Sequence, residues 1–407
     1  MNKFLIFLVV LTTSLSVSFS ELSIIHTILF TFLVILSSLK LFGNTINFSL
    51  CKYYYRLLAV FGISLFFSLT INYIYNTNYL YFLLNPVGRI FNLFGAFIII
   101  LFIDAHQHYN NIIKWYFYSC LIIVVSAIWH ALDLYSNLPL TFPFETRSLV
   151  HSSSLDFSFS ARLTGIAQEP SYLASFLLDF WILSLIVFYN KKFWKNLMRG
   201  GCLVLILLTY SPSAYISLII LLAFEILYKL FKNNKFYFFV ISGIFISILP
   251  IIFIVLNSFN IESLSYFKER INNADKSGRF YILDKAITSI YEDNNIFTLI
   301  FGNGLKSFEL LQYRFSEISV STSNNLYVDV FFEAGLLGLI ILLCFYYFVF
   351  IKIIKIQLFK YKFFASLIFI NIIVSGFYRA DYATLRYFIL FYFIYIFINY
   401  KKYFNEE

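Results

Sequence analysis

Arg162-Leu-Thr-Gly165-Ile-Ala-Gln168-Glu169-Pro170-Ser171-Tyr172 places a guanidinium, a carboxylate and a hydroxyl directly ahead of a long apolar run. Pro170 suits the first turn of a helix, because it needs no backbone donor there and its φ is preset. Glu169 then sits at the positive end of the helix dipole. From there it can act as a base on a hydroxyl, or hold an arginine such as Arg162 in place. The same residues also suit a simple helix cap with a surface ion pair.

Two further segments have this character. Thr209-Tyr210-Ser211-Pro212-Ser213 lies between two apolar runs, so the chain must turn there. Ser211 can cap the returning helix, leaving backbone N–H groups and the hydroxyls of Ser211 and Ser213 pointing outward, and such a terminus can bind phosphate. Any hairpin between spans needs a turn of similar composition. Ser323-Asn324-Asn325 opens another apolar run, with Asn325, Asp329 and Glu333 at i, i+4 and i+8 on one face. Polar groups inside such a run are costly and are functional candidates, with polar packing beside Gly335 and Gly338 as the structural alternative. Asp179 falls under the same argument.

Membrane helices must position these groups. Of 407 residues, 60% are hydrophobic and 13% charged, with a mean hydropathy of +0.80. No water-soluble domain of this size could carry that surface. Apolar runs predict spans at roughly 4–20, 23–42, 56–75, 84–104, 114–131, 170–190, 200–210, 212–230, 236–257, 326–350, 363–377 and 387–400. The expected fold is all-α and polytopic, with about twelve crossings. Residues 1–20 read as a first span or as a signal peptide. Placing both termini in the cytoplasm puts lysine clusters such as Lys191, Lys192 and Lys195 inside, as the positive-inside rule requires. The same model puts Arg89, Arg147, Arg162, Arg270, Arg279, Arg314, Arg379 and Arg386 outside. A guanidinium grips phosphate and carboxylate bidentately, so these arginines suggest an anionic ligand at the outer face; interface anchoring is the plainer reading.

The chain 1–407 reads as one membrane domain with two long outer loops, 132–169 and 258–325. In the second, Phe280, Leu283, Ile287 and Ile290 share one helical face, as for a helix lying on the membrane surface. Cys51, Cys120, Cys202 and Cys344 show no metal or disulfide spacing and read as core residues. His106 and His108 fall in an expected cytoplasmic turn and read as solvated rather than as ligands. The 22% aromatic content is spread evenly and reads as compositional bias. No Walker loop, dinucleotide fingerprint or acidic metal pair occurs, so a donor would have to arrive already activated. The outer loops and turns carry Arg147 and Arg162, then Arg270, Arg279 and Arg314, then Arg379, Asp381 and Arg386, which are expected to converge on a pyrophosphate.

Gly165…Glu169-Pro170-Ser171, Thr209…Ser213, Ser277-Gly278-Arg279, Gly302-Asn303-Gly304, Asn324-Asn325-Leu-Tyr and Glu333-Ala-Gly335-Leu-Leu-Gly338 resemble, in that order, landmarks of bacterial Wzy-type O-antigen and capsule polymerases. These belong to the O-antigen ligase/polymerase superfamily. The resemblance covers residues 150–340 in pattern and the whole chain in topology. It implies a metal-independent, cofactor-free glycosyltransferase of GT-C-like architecture in the inner membrane. Such an enzyme joins undecaprenyl-pyrophosphate-linked oligosaccharide units at the periplasmic face, among membrane lipid, with a chain-length regulator as protein partner and no nucleic acid. Glu169, Arg162 and Arg279 are then the expected catalytic residues. Arg147, Ser171, Ser211, Ser213, Arg270, Arg314, Asn325, Arg379 and Arg386 are expected to bind pyrophosphate or glycan. The related ligases, which transfer glycan to lipid A-core, typically use a histidine in the second loop, and 258–325 contains none. Asn324-Asn325 stands where related sequences often have His-Asn, which favours a polymerase. Neither long loop has an arginine followed by glycine eleven positions later, a pattern of some polymerases. A lipid-linked oligosaccharide flippase is the alternative of another class, against which the long loops count.

Overall fold

The computed structural model describes residues 2–18, 20–41, 49–54, 79–105, 109–136, 141–144, 162–233, 284–289, 296–305, 307–309 and 322–404. Its main helices are α1 (Asn2–Leu11), α2 (Ser20–Leu41), α3 (Tyr79–Ala105), α4 (Tyr109–Tyr135), α5 (Pro170–Val187), α6 (Lys192–Leu208), α7 (Pro212–Asn233), α8 (Ile296–Phe301), α9 (Leu326–Ile354), α10 (Phe359–Ser375), α11 (Leu385–Ile398) and α12 (Tyr400–Phe404). No strand occurs among the described residues, only an isolated bridge between Ser18 and Ala167. A helix satisfies every interior backbone group within itself, which is what a lipid environment demands.

Six of the described helices are long and apolar enough to cross a membrane: Leu22–Leu39, Val87–Ala105, Asn111–Tyr135, Pro170–Val187, Pro212–Leu230 and Leu326–Ile354. The expected spans 56–75 and 236–257 lie outside the described residues. The expected first span is not one α-helix, since α1 gives way to a 3-10 segment at Thr12–Val17. The others expected at 200–210, 363–377 and 387–400 fall in α6, α10 and α11, of 17, 17 and 14 residues. At about 1.5 Å per residue these are short for a bilayer. The first long loop begins later than expected, because α4 continues to Tyr135. In the second, a helix at 284–289 buries Ala286 and Ser289 and leaves Ile287 41% exposed, while Phe280, Leu283 and Ile290 lie outside the described residues.

The chain packs as two compact units. One comprises Met1–Thr13, Ile24–Tyr116 and Gly278–Glu407, the other Ser14–Ser23 and Phe117–Ser277. In the first, α11 is apolar but for Arg386 near its start and is buried from Leu385 to Phe397, lying against α10 and α3. Lipid tails are as apolar as a protein core, so helices associate in lipid by close packing and polar contacts. Here the aromatic content finds its use. Tyr361 stacks on Tyr400 and Phe404 with centroids 5.1 Å apart in each case. The hydroxyls of Tyr346 and Tyr387 meet at 2.8 Å. Tyr392 and Tyr403 both donate to the buried Asp104 carboxylate, at 2.9 and 2.5 Å.

In the second unit α5 is almost wholly buried, with α6 and α7 packed against it. Arg199 of α6 lies 3.5 Å above the Trp181 ring of α5 and pairs with Glu225 of α7, which Lys229 also reaches at 2.6 Å. The ion pair and the cation–π contact fasten all three helices together.

Candidate functional site

In the second unit, α5 begins as its sequence requires: Glu169 is the N-cap with extended backbone and Pro170 follows at N1. The Glu169 side chain makes no bond to the helix amides; the Ser171 hydroxyl donates to its Oε2 at 3.3 Å. The segment leading to it is tied down on several sides. His130 Nδ1 accepts from the amides of Thr164 and Gly165, at 3.3 and 3.1 Å, and the imidazole stacks on Phe142 at 4.6 Å. An Nδ1 that accepts two amides carries no proton, so the imidazole proton is on Nε2. Gly165 has φ +54°, and a Cβ there would come 2.8 Å from the Ser126 hydroxyl. Gln168 donates to the Val17 carbonyl through its amide and to the Ser18 carbonyl through its side chain, each at 2.9 Å.

Arg162 reaches the turn before α7, donating through Nε to the Thr209 carbonyl (3.4 Å) and through Nη2 to that of Tyr210 (3.3 Å). Two of the segments expected to act together are thus bonded to each other. Ser211 is buried, however, and its hydroxyl bonds that of Ser213 at 3.0 Å, so the two hydroxyls face one another rather than outward.

In the first unit, the start of α9 is a polar network. Asn325 is the N-cap, accepting from the amides of Tyr327 and Val328 at 3.0 and 3.2 Å, while its Nδ2 donates to the Phe377 carbonyl. Asp329 receives the Ser323 amide at 2.8 Å together with the hydroxyls of Thr322 and Ser323. One turn on, Glu333 is 1% exposed and lies 3.5 Å from Arg89 of α3, which keeps 16% exposure. Tyr382 donates its hydroxyl to Glu333 Oε2 and places its ring under the Arg89 guanidinium, 4.9 Å away. Burial pushes the Tyr382 phenol well above the ordinary tyrosine range, against the opposing pull of Arg89, so it stays a donor. In the turn between α10 and α11, Asp381 pairs with both Arg379 and Arg386, all three buried.

Directly after Glu333 the helix breaks. Gly335 adopts φ 66°, ψ −169°, and the carbonyls of Phe332 and Glu333 accept instead from the amides of Asn303 (2.9 Å) and Gly304 (2.8 Å). Gly302-Asn303-Gly304 therefore supplies donors to a break that lipid would leave unsatisfied.

Residues 200–343 match the family model described as O-antigen ligase. This bears out the resemblance to the O-antigen ligase/polymerase superfamily, whose members are glycosyltransferase-like enzymes. The matched region contains the Thr209–Ser213 turn, the Gly302–Gly304 loop and α9 as far as Leu343. It lends no support to a flippase. No curated protein matches the chain.

Among the expected site residues, Arg162, Glu169, Ser171, Ser211 and Ser213 lie in the second unit and Asn325, Arg379 and Arg386 in the first. Arg147, Arg270, Arg279 and Arg314 lie outside the described residues, as do His106 and His108. Sequence reasoning gave no role to His130 or Tyr382 and set Arg89 only among the outer arginines. A lone charge near the start of an apolar run was the available signal for Arg89; His130 and Tyr382 had none.

Proposed function

We propose that this protein is a polysaccharide polymerase of the bacterial inner membrane, active at the periplasmic face. A growing glycan leaves its undecaprenyl pyrophosphate and passes to a hydroxyl on the non-reducing end of an incoming lipid-linked unit. The family match at residues 200–343 carries this reading as far as the ligase/polymerase class. Within that class, the lack of histidine between 258 and 325 and the pair Asn324-Asn325 favour the polymerase.

In this proposal the chain makes about twelve crossings with both termini inside, and loops 132–169 and 258–325 lie outside. Arg162 and Arg279 stabilise charge developing on the leaving pyrophosphate, and no metal is required. Glu169 activates the acceptor hydroxyl or orders the arginines. Arg147, Arg270, Arg314 and Asn325 complete the binding set, while Arg379 and Arg386 are held by Asp381.

The test is deletion of the gene in its host, with surface polysaccharide resolved by chain length on a gel. Lipid A-core bearing one repeat unit, or single lipid-linked units accumulating outside, is the expected result. Full-length polymer left on undecaprenyl pyrophosphate makes the protein a ligase and overturns the polymerase reading. Single units held on the cytoplasmic side overturn both.

A further inference from the structure

We propose that the start of α6 is a docking surface for anionic phospholipid headgroups. Lys191, Lys192 and Lys195 stand there beside Tyr189, Phe193, Trp194 and Leu197, and all four of these large side chains are exposed, Phe193 at 70%. At about 100° per residue, Phe193, Trp194, Leu197, Val204 and Leu207 form one exposed stripe along the helix. Cys202, Leu205 and Ile206 turn inward, and Cys202 Sγ donates to the Leu177 carbonyl of α5 at 3.0 Å. Beyond Arg199 only Gly200–Leu208 remains of α6. That is about 14 Å of helix, less than half of a hydrocarbon core about 30 Å thick. The first half of α6 therefore sits at the level of the headgroups.

Neither water nor lipid tails suit this surface. Water would leave a contiguous patch of large apolar side chains uncovered, and hydrocarbon would strip three ammonium groups of solvent. The headgroup layer satisfies both, with the rings at the boundary of the acyl chains and the lysine stems reaching to the phosphates. The chain does not neutralise this charge itself. No acidic residue lies between Phe180 and Phe224, and none stands in the first turn of α6. Glu225 of α7, the next acid along, accepts from Arg199 at 3.2 Å and from Lys229 at 2.6 Å. Lysines alone suffice to orient a span. The exposed rings beside them add the apolar contact that holds a lipid in place. A zwitterionic headgroup brings its own cation, whereas an anionic one, such as phosphatidylglycerol, complements three lysines.

The test uses the full chain in nanodiscs of phosphatidylcholine and phosphatidylglycerol, with one lipid or the other carrying brominated acyl chains. Quenching of Trp194 is read as the difference between the wild-type protein and Trp194→Phe. At low salt, Trp194 should favour brominated phosphatidylglycerol over brominated phosphatidylcholine by at least about fivefold, and the preference should fade at high salt. Lys191→Gln, Lys192→Gln and Lys195→Gln combined should bring the preference close to unity, and arginine at the same three positions should keep it. Lys401→Gln with Lys402→Gln, which alters two exposed lysines of α12, is the control and should leave it unchanged. Equal quenching by the two lipids in the wild-type protein, or an undiminished preference in the glutamine variant, would overturn the proposal. Quenching by neither lipid would put protein, such as a second copy of the chain, on this face and overturn it as well. The readout involves no sugar and no polymer, so it stands apart from the outcome of the gene deletion.

Discussion

Gly302 and Gly335 meet backbone to backbone: a Cβ built on either would lie 2.5 Å from the amide nitrogen of the other. Both residues have positive φ, +79° and +66°. The contact brings the Gly302–Gly304 loop to the carbonyls freed at the break in α9, so one close approach terminates a helix and satisfies its loose ends.

Alanine at either glycine should therefore lower stability by more than the about 1–2 kcal/mol that left-handed backbone alone costs a side chain. Thermal unfolding in detergent measures this. Gly88→Ala is the control, because a Cβ there meets nothing within 4 Å. A Gly302→Ala protein as stable as that control would mean that the two segments do not meet.

Asp381 neutralises two buried guanidiniums. Asp381→Ala should cost about 3–5 kcal/mol, since removing one partner leaves buried charge uncompensated. Replacing Arg379, Asp381 and Arg386 together with apolar residues of similar size should recover much of that loss. Unfolding midpoints of the single and triple variants give the comparison; an undiminished midpoint for Asp381→Ala contradicts the buried triad.

His130→Ala removes the acceptor of two backbone amides just ahead of Glu169. Each buried donor left unsatisfied costs about 1–3 kcal/mol. The expected outcome is faster proteolytic cleavage within 162–169, partly reversed in His130→Asn, whose side-chain oxygen can accept in place of Nδ1. Cleavage at the wild-type rate would show that the imidazole does not anchor this segment.

Glu169→Ala separates chemistry from folding. Its side chain makes no bond to the amides of α5 but accepts from the Ser171 hydroxyl at the positive end of the helix dipole, so the loss of stability should stay at about 1 kcal/mol. Polymer formation should nevertheless fall sharply while the protein stays in the membrane. Normal polymer from this variant takes Glu169 out of the reaction.

Local chemistry made part of this legible from the amino-acid order. Hydropathy marks the membrane helices because lipid admits few charges, and Pro170, Pro212 and Asn325 mark helix starts because proline torsion and amide capping act within a turn. The Ser211 and Ser213 hydroxyls went astray in the reading because sequence places them at a turn without saying which way they face.

The sequence by itself determined that this is a helical membrane protein resembling the O-antigen ligase/polymerase superfamily, with Glu169 at the head of α5. Only the tertiary structure decided that Arg162 grips the Thr209–Tyr210 turn, that His130 holds Thr164 and Gly165, and that Glu333 meets Arg89 and Tyr382. It alone turned Gly335 from a point of helix contact into a break, because such a break is tolerable in lipid only where another segment brings donors to the freed carbonyls. Capping and hydropathy are decided within a few residues, whereas these pairings join residues 34 to 49 or more positions apart and arise from how helices pack.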